Sequence, residues 1–442
     1  MKHIAVIGAG PAGCLAAYEL KKNGHSVVLF EKERQVGGRT FTDRKNDHLI
    51  DTGAGFFTNF YPLYFKLLKE LKLTDEVIPM SRSVFFAFDN KNEVLGTLAS
   101  FIFFKALSFK DKFKFFKYVS GLIFKFKSLD LVDIKKLSHY DDCSFADEVR
   151  RNAGHNVYEF LARPLIEPFW FFSPEEISRA LGMTVLARLA TSKIFTMKTG
   201  MDRLCQALAN TVIKKTNTCV EKILVNPDQS FTLTYTDNGQ ITNSEPFTHL
   251  IIASTAPVAY NLVKPLSENL ISSFQKDFLK TQKYVSSSHS VYQISRANPP
   301  LNQSGVFPCG PGQHKVATIS FDQVKYKSYS HLKKTDDIAH VFLSPVESLK
   351  TMTKKSEEIF ASTWENARGL YSQLPNSPLP VATYFREHAI PLHEVGRYKK
   401  ALLFSHQQKA PLVFAGDYLA TATIEGALLS GLNAAKLILQ EN

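Results

Sequence analysis

Gly8-Ala9-Gly10-Pro11-Ala12-Gly13 lies between a short apolar run, His3 to Ile7, and a stretch that reads as a helix from Pro11 to about Lys22. The run before it is rich in Val and Ile, as a parallel strand covered on both faces should be. Each glycine has its own use. Gly8 permits the tight turn, Gly10 lets a pyrophosphate approach the backbone, and Gly13 lets the helix pack closely on the strand. Pro11 and Ala12 open the helix, whose N-terminal N–H groups and partial positive charge suit phosphate. Gly24 ends the helix, and Ser26 to Phe30 reads as a second strand finishing at Glu31. The spacing predicts a β-α-β unit of about thirty residues. Glu31 stands where a carboxylate accepts both hydroxyls of an adenosine ribose and repels a 2′-phosphate, which points to NAD or FAD rather than NADP. The plain alternative is a glycine-rich turn in an ordinary α/β protein.

At 442 residues the chain exceeds a single core and is expected to form two interleaved domains. With 44% hydrophobic and 21% charged residues it is globular rather than disordered. The five cysteines, Cys14, Cys143, Cys205, Cys219 and Cys309, make no CxxC pair and no zinc spacing. Neither a metal site nor a disulfide framework is expected, and a reducing, cytoplasmic location fits best. The first strand starts at His3, which leaves no room ahead of it for a secretory leader. No window holds eighteen uninterrupted apolar residues, so no spanning helix is expected. The formal charge of +12 points to anionic lipid, nucleic acid or an acidic partner.

Soon after Glu31 come Val36-Gly37-Gly38-Arg39-Thr40 and then Asp51-Thr52-Gly53-Ala54-Gly55-Phe56-Phe57. A second glycine pair with an arginine offers backbone and a guanidinium to a long diphosphate cofactor, and the later cluster lets backbone lie close to a flat ring. On these residues the sequence resembles the flavoprotein superfamily of monoamine oxidases, protoporphyrinogen oxidases and phytoene or squalene desaturases. The resemblance implies an FAD site to which Gly38, Arg39, Thr40, Gly53, Ala54, Gly55 and Phe56 belong, together with Gly8, Gly10, Pro11, Ala12, Gly13 and Glu31. Arg39 as a mere surface charge is the alternative.

Residues 58 to 199 read mainly as helices and form an inserted substrate domain. Within them, Phe101 to Lys136 carries nine lysines against Asp111, Asp130 and Asp133, half the net charge of the protein. Its interleaved phenylalanines describe either a core helix with lysines snorkelling outward, the first choice, or a helix lying in an anionic membrane interface. Nucleic acid comes last, because no binding motif accompanies the charge. Pro164-Leu165-Ile166-Glu167-Pro168-Phe169-Trp170 and Ser173-Pro174-Glu175-Glu176-Ile177-Ser178 resemble the protoporphyrinogen-oxidase-like branch. Lys198 to Leu204 resembles the family turn that leads back to the first domain, with Thr199 in place of its first glycine. Phe231 to Thr236 and Gln240 to Thr242 read as a hairpin about Asp237-Asn238-Gly239. By resemblance the backbone of Val220 touches the adenine. Leu250 to Pro257 reads as a buried parallel strand, and residues 284 to 385 as mixed strands with a helix around Lys354 to Leu374.

Far downstream, Phe414-Ala415-Gly416-Asp417-Tyr418 and Thr423-Ile424-Glu425-Gly426-Ala427 resemble the terminal flavin motif of the desaturases. The resemblance implies that Gly416 and Asp417 meet the ribityl or pyrophosphate region, and that the backbone of Thr423, Ile424 and Ala427 meets the isoalloxazine. A helix starting near Ile424 would turn its positive end to the reduced ring. The alternatives are a satisfied turn residue at Asp417 and a solvated first-turn acid at Glu425. The fold expected is α/β, a Rossmann-type FAD-binding domain (1–57, 198–284 and 386–442) interleaved with an α+β substrate-binding domain (58–197 and 285–385).

Amine oxidases of this superfamily carry a lysine on a substrate-domain strand. The best matching strand here, Ser286 to Ser295, offers His289 and Ser290 instead. The aromatic residue that precedes their terminal motif corresponds roughly to Thr423, and no cysteine lies near Tyr384 to Tyr398 to attach the flavin. These departures point to non-covalent FAD and away from an amine oxidase. His289 is the one titratable candidate near the flavin, with a satisfied core histidine as its alternative, and Arg386 reads as structural. The expectation is an FAD-dependent oxidase or desaturase that removes hydride equivalents from a largely apolar substrate, passes electrons to oxygen or a quinone, and touches an anionic membrane peripherally. Its rivals are an amine or amino-acid oxidase and a flavin-binding scaffold or sensor without turnover.

Overall fold

A computed structural model describes residues 1–45, 48–88, 91–189, 191–295, 303–325 and 336–441. The opening unit forms as its spacing requires: strand β1 (His3–Ile7), helix α1 (Pro11–Lys22) and strand β2 (Ser26–Phe30). These strands pair in parallel, with His3 opposite Ser26 and Ile7 opposite Phe30. On the other side β1 pairs in parallel with His249–Ile252, and the five-stranded sheet is completed by Ile213–Lys215 at one edge and Leu412–Phe414 at the other. The chain order therefore reverses about β1, and its C-terminal end is the crevice where such sheets hold ligands. The strand expected over Leu250 to Pro257 stops at Ile252. Ala256 and Pro257 instead begin a helix, Ala256–Val263, as a proline in the first turn allows.

The hairpin forms with strands Phe231–Asp237 and Gln240–Asn243, and both turn residues, Asn238 and Gly239, have positive φ. That geometry matches the twist of paired strands. The terminal helix runs Ile424–Leu439 and packs on α1 so closely that a Cβ at Gly431 would lie 2.1 Å from the Ala12 carbonyl oxygen.

A second, seven-stranded sheet is assembled from Val84–Phe88, Lys91–Leu95, Tyr284–Ser295, Gly305–Pro308, Val316–Phe321, Asp336–Leu343 and Leu379–Pro391. Residues 58 to 199 are thus less purely helical than their composition implies. Val84–Phe88, within the stretch read mainly as helices, pairs in parallel with Gly305–Pro308, more than two hundred residues later. On its other side it pairs antiparallel with the neighbouring strand Lys91–Leu95. The helix expected near Lys354 to Leu374 runs Ser356–Leu370 and covers one face of this sheet with Trp364 and Ala367.

The basic aromatic stretch forms helices Leu98–Phe103 and Phe109–Phe124. Phe101, Phe104, Phe115, Tyr118 and Leu122 are core residues, as the first reading expects, but Phe103, Phe109, Phe113 and Phe124 are not. The stretch is core on one face only. Among the described residues no helix is long and apolar enough to cross a membrane.

Candidate functional site

The glycines at the end of β1 build a cradle. Gly8 has φ +103°, and a Cβ there would lie 2.8 Å from the Ala253 oxygen, so the turn tolerates no side chain. A Cβ on Gly13 would meet the Gly8 oxygen at 1.9 Å, which is the close packing of helix on strand that the motif requires. Gly10 differs: a Cβ there would meet no atom of the described residues within 4 Å. Gly10 is also the N-cap of α1, and no side chain among the described residues caps that helix end. Pro11 supplies the first helical residue without an N–H, and Ala12 and Gly13 follow it. An uncapped helix N-terminus that opens onto free space suits a diphosphate. The FAD expectation therefore passes its test of fit.

Glu31 is buried at the end of β2, where its two carboxylate oxygens accept from the Ala9 amide at 2.7 Å and the Glu33 amide at 3.0 Å. Burial raises its pKa, and these two hydrogen bonds work against that rise. The Thr218 amide donates to the Glu31 carbonyl at 2.8 Å. Val220 lies two residues beyond Thr218, buried on the strand Thr218–Val225.

The second glycine pair lies against the first. Gly38 has φ +53°, and a Cβ there would lie 3.1 Å from the Gly10 Cα. Thr40 is buried, and its hydroxyl donates to the Gly37 carbonyl at 2.9 Å. Arg39 spans the site: its guanidinium donates to Asp417 Oδ1 at 2.7 Å and to the Ala389 carbonyl at 3.2 Å. It is not a mere surface charge. Its carbonyl accepts from the Ala54 amide at 2.9 Å, and a Cβ at Gly53 would lie 2.2 Å from that same oxygen. Gly53, Ala54, Gly55 and Phe56 therefore run directly beside the arginine loop. Arg386 anchors the start of this run by donating to the Thr52 hydroxyl at 2.7 Å.

The end of the chain closes the same place. The Gly416 amide donates to the Ser430 hydroxyl at 2.9 Å, so Asp417 enters the site from a fixed turn. Thr423 caps the terminal helix by accepting from the Gly426 amide at 2.9 Å, while Ile424 and Ala427 are buried in one core with Ala12. Glu425 is not a solvated acid. It is buried, and its carboxylate accepts from the amides of Leu63 at 2.7 Å and Tyr64 at 2.9 Å, at the start of the helix Pro62–Glu70. Burial outweighs these bonds and pushes its pKa up to about 7.

His289 stands apart from the cradle. It is buried in the seven-stranded sheet, its ring stacked on Phe342 at 4.0 Å between centroids. Its Nε2 lies 2.9 Å from Nδ1 of His340, whose Nε2 lies 3.0 Å from Asp322. One aromatic stack continues from Phe342, and a second group of rings runs from Phe56. Phe56 meets Phe169 edge to face at 5.5 Å, Phe169 meets Phe307 at 5.2 Å, and Phe171 stacks on Phe342 at 5.7 Å. Trp170 donates from Nε1 to the Ala422 carbonyl at 3.0 Å, one residue before the cap of the terminal helix. Sequence reasoning quoted Trp170 only as part of a branch-like stretch and did not single out Phe171, Phe307 or Phe342. The run Phe169-Trp170-Phe171-Phe172 after Pro168 is the signal that points to two of these rings, Trp170 and Phe171.

A family model described as flavin containing amine oxidoreductase matches residues 11–439. Protoporphyrinogen oxidase 2, chloroplastic/mitochondrial, of Arabidopsis thaliana is 21% identical over 494 residues, covering 99% of this chain and 94% of the relative. Other curated relatives match locally. Flavin-containing monooxygenase FMO GS-OX3 of Arabidopsis thaliana is 59% identical over 46 residues, so the chain spans 10% of that relative's length. A putative protoporphyrinogen oxidase from Exiguobacterium sp. 255-15 superposes with a TM-score of 0.77 at 14% identity, covering 100% of this chain and 99% of the other. Putrescine oxidase bound to putrescine gives 0.72 at 16% identity over 100% and 99%. At these identities the structural likeness is one of fold.

Proposed function

The chain belongs to the flavin-containing amine oxidoreductase family and is an FAD-dependent oxidoreductase, and on that premise we propose that it withdraws hydride equivalents from a largely apolar substrate. The observation that carries the substrate class is the set of partly buried rings Phe56, Phe169, Trp170, Phe171 and Phe342, of which Trp170 donates to the Ala422 carbonyl beside the cap of the terminal helix. Aromatic walls hold a flat apolar molecule by area and ring geometry rather than by charge.

Non-covalently held FAD supplies the two-electron acceptor, and oxygen or a quinone takes the electrons onward. The chain's own residues bind and orient. In this reading the α1 N-terminus at Gly10 holds the pyrophosphate, Glu31 accepts the ribose hydroxyls, and the Val220 backbone meets the adenine. The Arg39–Asp417 ion pair, with Gly416 beside it, lines the ribityl or pyrophosphate region. The Thr423 to Ala427 turn sets the ring against the aromatic array. The reading includes peripheral contact with an anionic membrane, supported by the exposed phenylalanines beside lysines on Phe109–Phe124.

Anaerobic mixing with candidate substrates tests the proposal. Conjugated apolar compounds are expected to bleach the flavin absorbance. Bleaching by amines alone, with peroxide released in air, would move the protein to the amine or amino-acid oxidases. A flavin reduced by dithionite and by no candidate would leave a scaffold or sensor.

A further inference from the structure

The cofactor cradle leaves one buried polar chain in the molecule unexplained, that of Asp322, His340 and His289. Their exposures are 6%, 4% and 1%. His289 stands opposite Phe342 and Val291 opposite His340 on paired strands, so side-chain alternation puts all four on one face of the seven-stranded sheet. The other face, with Tyr292 and Ile294, is the one that Ser356–Leu370 covers. The histidine face looks toward the segments that run beside the cofactor. Val291 shares a small core with Ile50. Tyr384, opposite His289, donates to Asp43 Oδ2 at 2.8 Å. Ser287, two residues before His289, is opposite Arg386, which donates to the Thr52 hydroxyl. Ile50 and Thr52 lead directly into the run Gly53 to Phe56.

The contacts give this chain a direction. A carboxylate only accepts, so the hydrogen in the 3.0 Å contact with Asp322 belongs to Nε2 of His340. In neutral His340 that makes Nδ1 an acceptor, and the hydrogen in the 2.9 Å contact between the rings then belongs to Nε2 of His289. The basic nitrogen of the pair is therefore Nδ1 of His289. A proton added there is passed from ring to ring and ends on the imidazole that Asp322 holds. The chain thus has two states: one carries the charge of Asp322, and in the other an imidazolium cancels it. Among the described residues, three more carboxylates neighbour it. Asp43 accepts from Tyr384, Asp336 accepts from Gln293 Nε2 at 3.2 Å, and Asp337 accepts from the Gln323 amide at 2.9 Å, next to Asp322. These anions favour the protonated state, and the guanidinium of Arg386, two residues beyond Tyr384, opposes it.

We propose that Asp322, His340 and His289 hold the proton that balances the charge brought to the site by each reduction of the cofactor. Hydride removal breaks a substrate C–H bond, and both its electrons, with one negative charge, pass to FAD among aromatic walls. Unbalanced charge in such surroundings is costly. A proton from solvent joins Nδ1 of His289 and moves on to His340, and it returns to solvent when the electrons go to the final acceptor. The three are positioning residues, acting on the site through its charge. This rests on FAD binding in the reading above and is independent of the substrate class.

The test measures the midpoint potential of the FAD-loaded protein by equilibration with redox dyes from about pH 5 to about pH 9, the range in which histidines change charge. Each proton bound per two electrons adds about 30 mV per pH unit to the slope. Wild type is expected to exceed both His289→Gln and His340→Gln by that one step. Glu425→Gln is expected to match wild type, although Glu425 is a buried acid at the same site. Loss of the step in Glu425→Gln, with both histidine variants like wild type, would give the proton to that carboxylate and overturn the proposal. Equal slopes in all four proteins would overturn it while FAD binding stands, and a protein that binds no FAD ends both. Flavin absorbance and melting temperature report whether the variants fold. If they do not, the histidine ¹⁵N resonances of the wild type decide: reduction by dithionite should turn one buried imidazole into an imidazolium, and unchanged resonances across the same pH range would overturn the assignment.

Discussion

In the proposed reading Glu31 carries the ribose specificity. Its carboxylate is held by two backbone amides, which fix its position in the chain as it stands. Glu31→Gln keeps the shape and removes the charge. It should weaken FAD binding by about 1.5–3 kcal/mol, or about 10–100-fold, read by titrating the apoprotein with FAD. Glu425 makes a different statement. Its pKa in the folded chain, about 7, lies above its ordinary value of 4.5 because burial disfavours the charge. The folded state therefore binds more protons between those two values, and the contribution is complete below pH 4.5 and lost as pH rises through about 7. Stability should fall by up to about 3 kcal/mol across that window, and Glu425→Gln should flatten the fall in denaturant titrations at several pH values. Glu31 was legible from its spacing after the glycines. Glu425 was not, because its partners Leu63 and Tyr64 lie some 360 residues away and donate through backbone that no side-chain pattern marks.

Between elements, the decisive contact is that of α1 with the terminal helix. Both begin at the cofactor site, and both must keep their N-termini there. A Cβ at Gly431 would sit 2.1 Å from the Ala12 oxygen, so Gly431→Ala should push the helices apart and cost about 1–3 kcal/mol. The melting temperature and the flavin retained through gel filtration should fall together, since one displacement disturbs both. A lowered melting temperature with full flavin retention would uncouple the packing from the site. These helices were legible because each has its own local marks: Pro11 and Gly24 for one, Thr423 and a run of small residues for the other. The strand Val84–Phe88 was not. It is sandwiched between Lys91–Leu95 and the distant Gly305–Pro308, and periodicity alone does not separate such a short apolar run from a buried helix.

In the whole molecule, the site is assembled from segments at residues 8–13, 31, 38–40, 53–56 and 416–427, with Arg39 and Asp417 joined by a direct ion pair. A ligand that binds across such a joint binds the folded chain and not the unfolded one. Removing FAD should therefore lower stability by about 2.7 kcal/mol relative to protein with free FAD at a hundred times its dissociation constant. Differential scanning of apo and loaded protein checks this, and equal melting temperatures would mean that FAD does not bridge the segments. The sequence by itself determined the parallel β-α-β opening, the carboxylate at the end of its second strand and the glycine turns, because those needs are local: a turn without side chains, a helix end, a strand end. Tertiary structure alone decided which side of Phe109–Phe124 is bare, that His289 sits behind Phe342, and that Trp170 leans on Ala422. Composition cannot tell a buried ring from an exposed one, since both satisfy the same helical period. Only the neighbours that the fold brings, or fails to bring, make the difference.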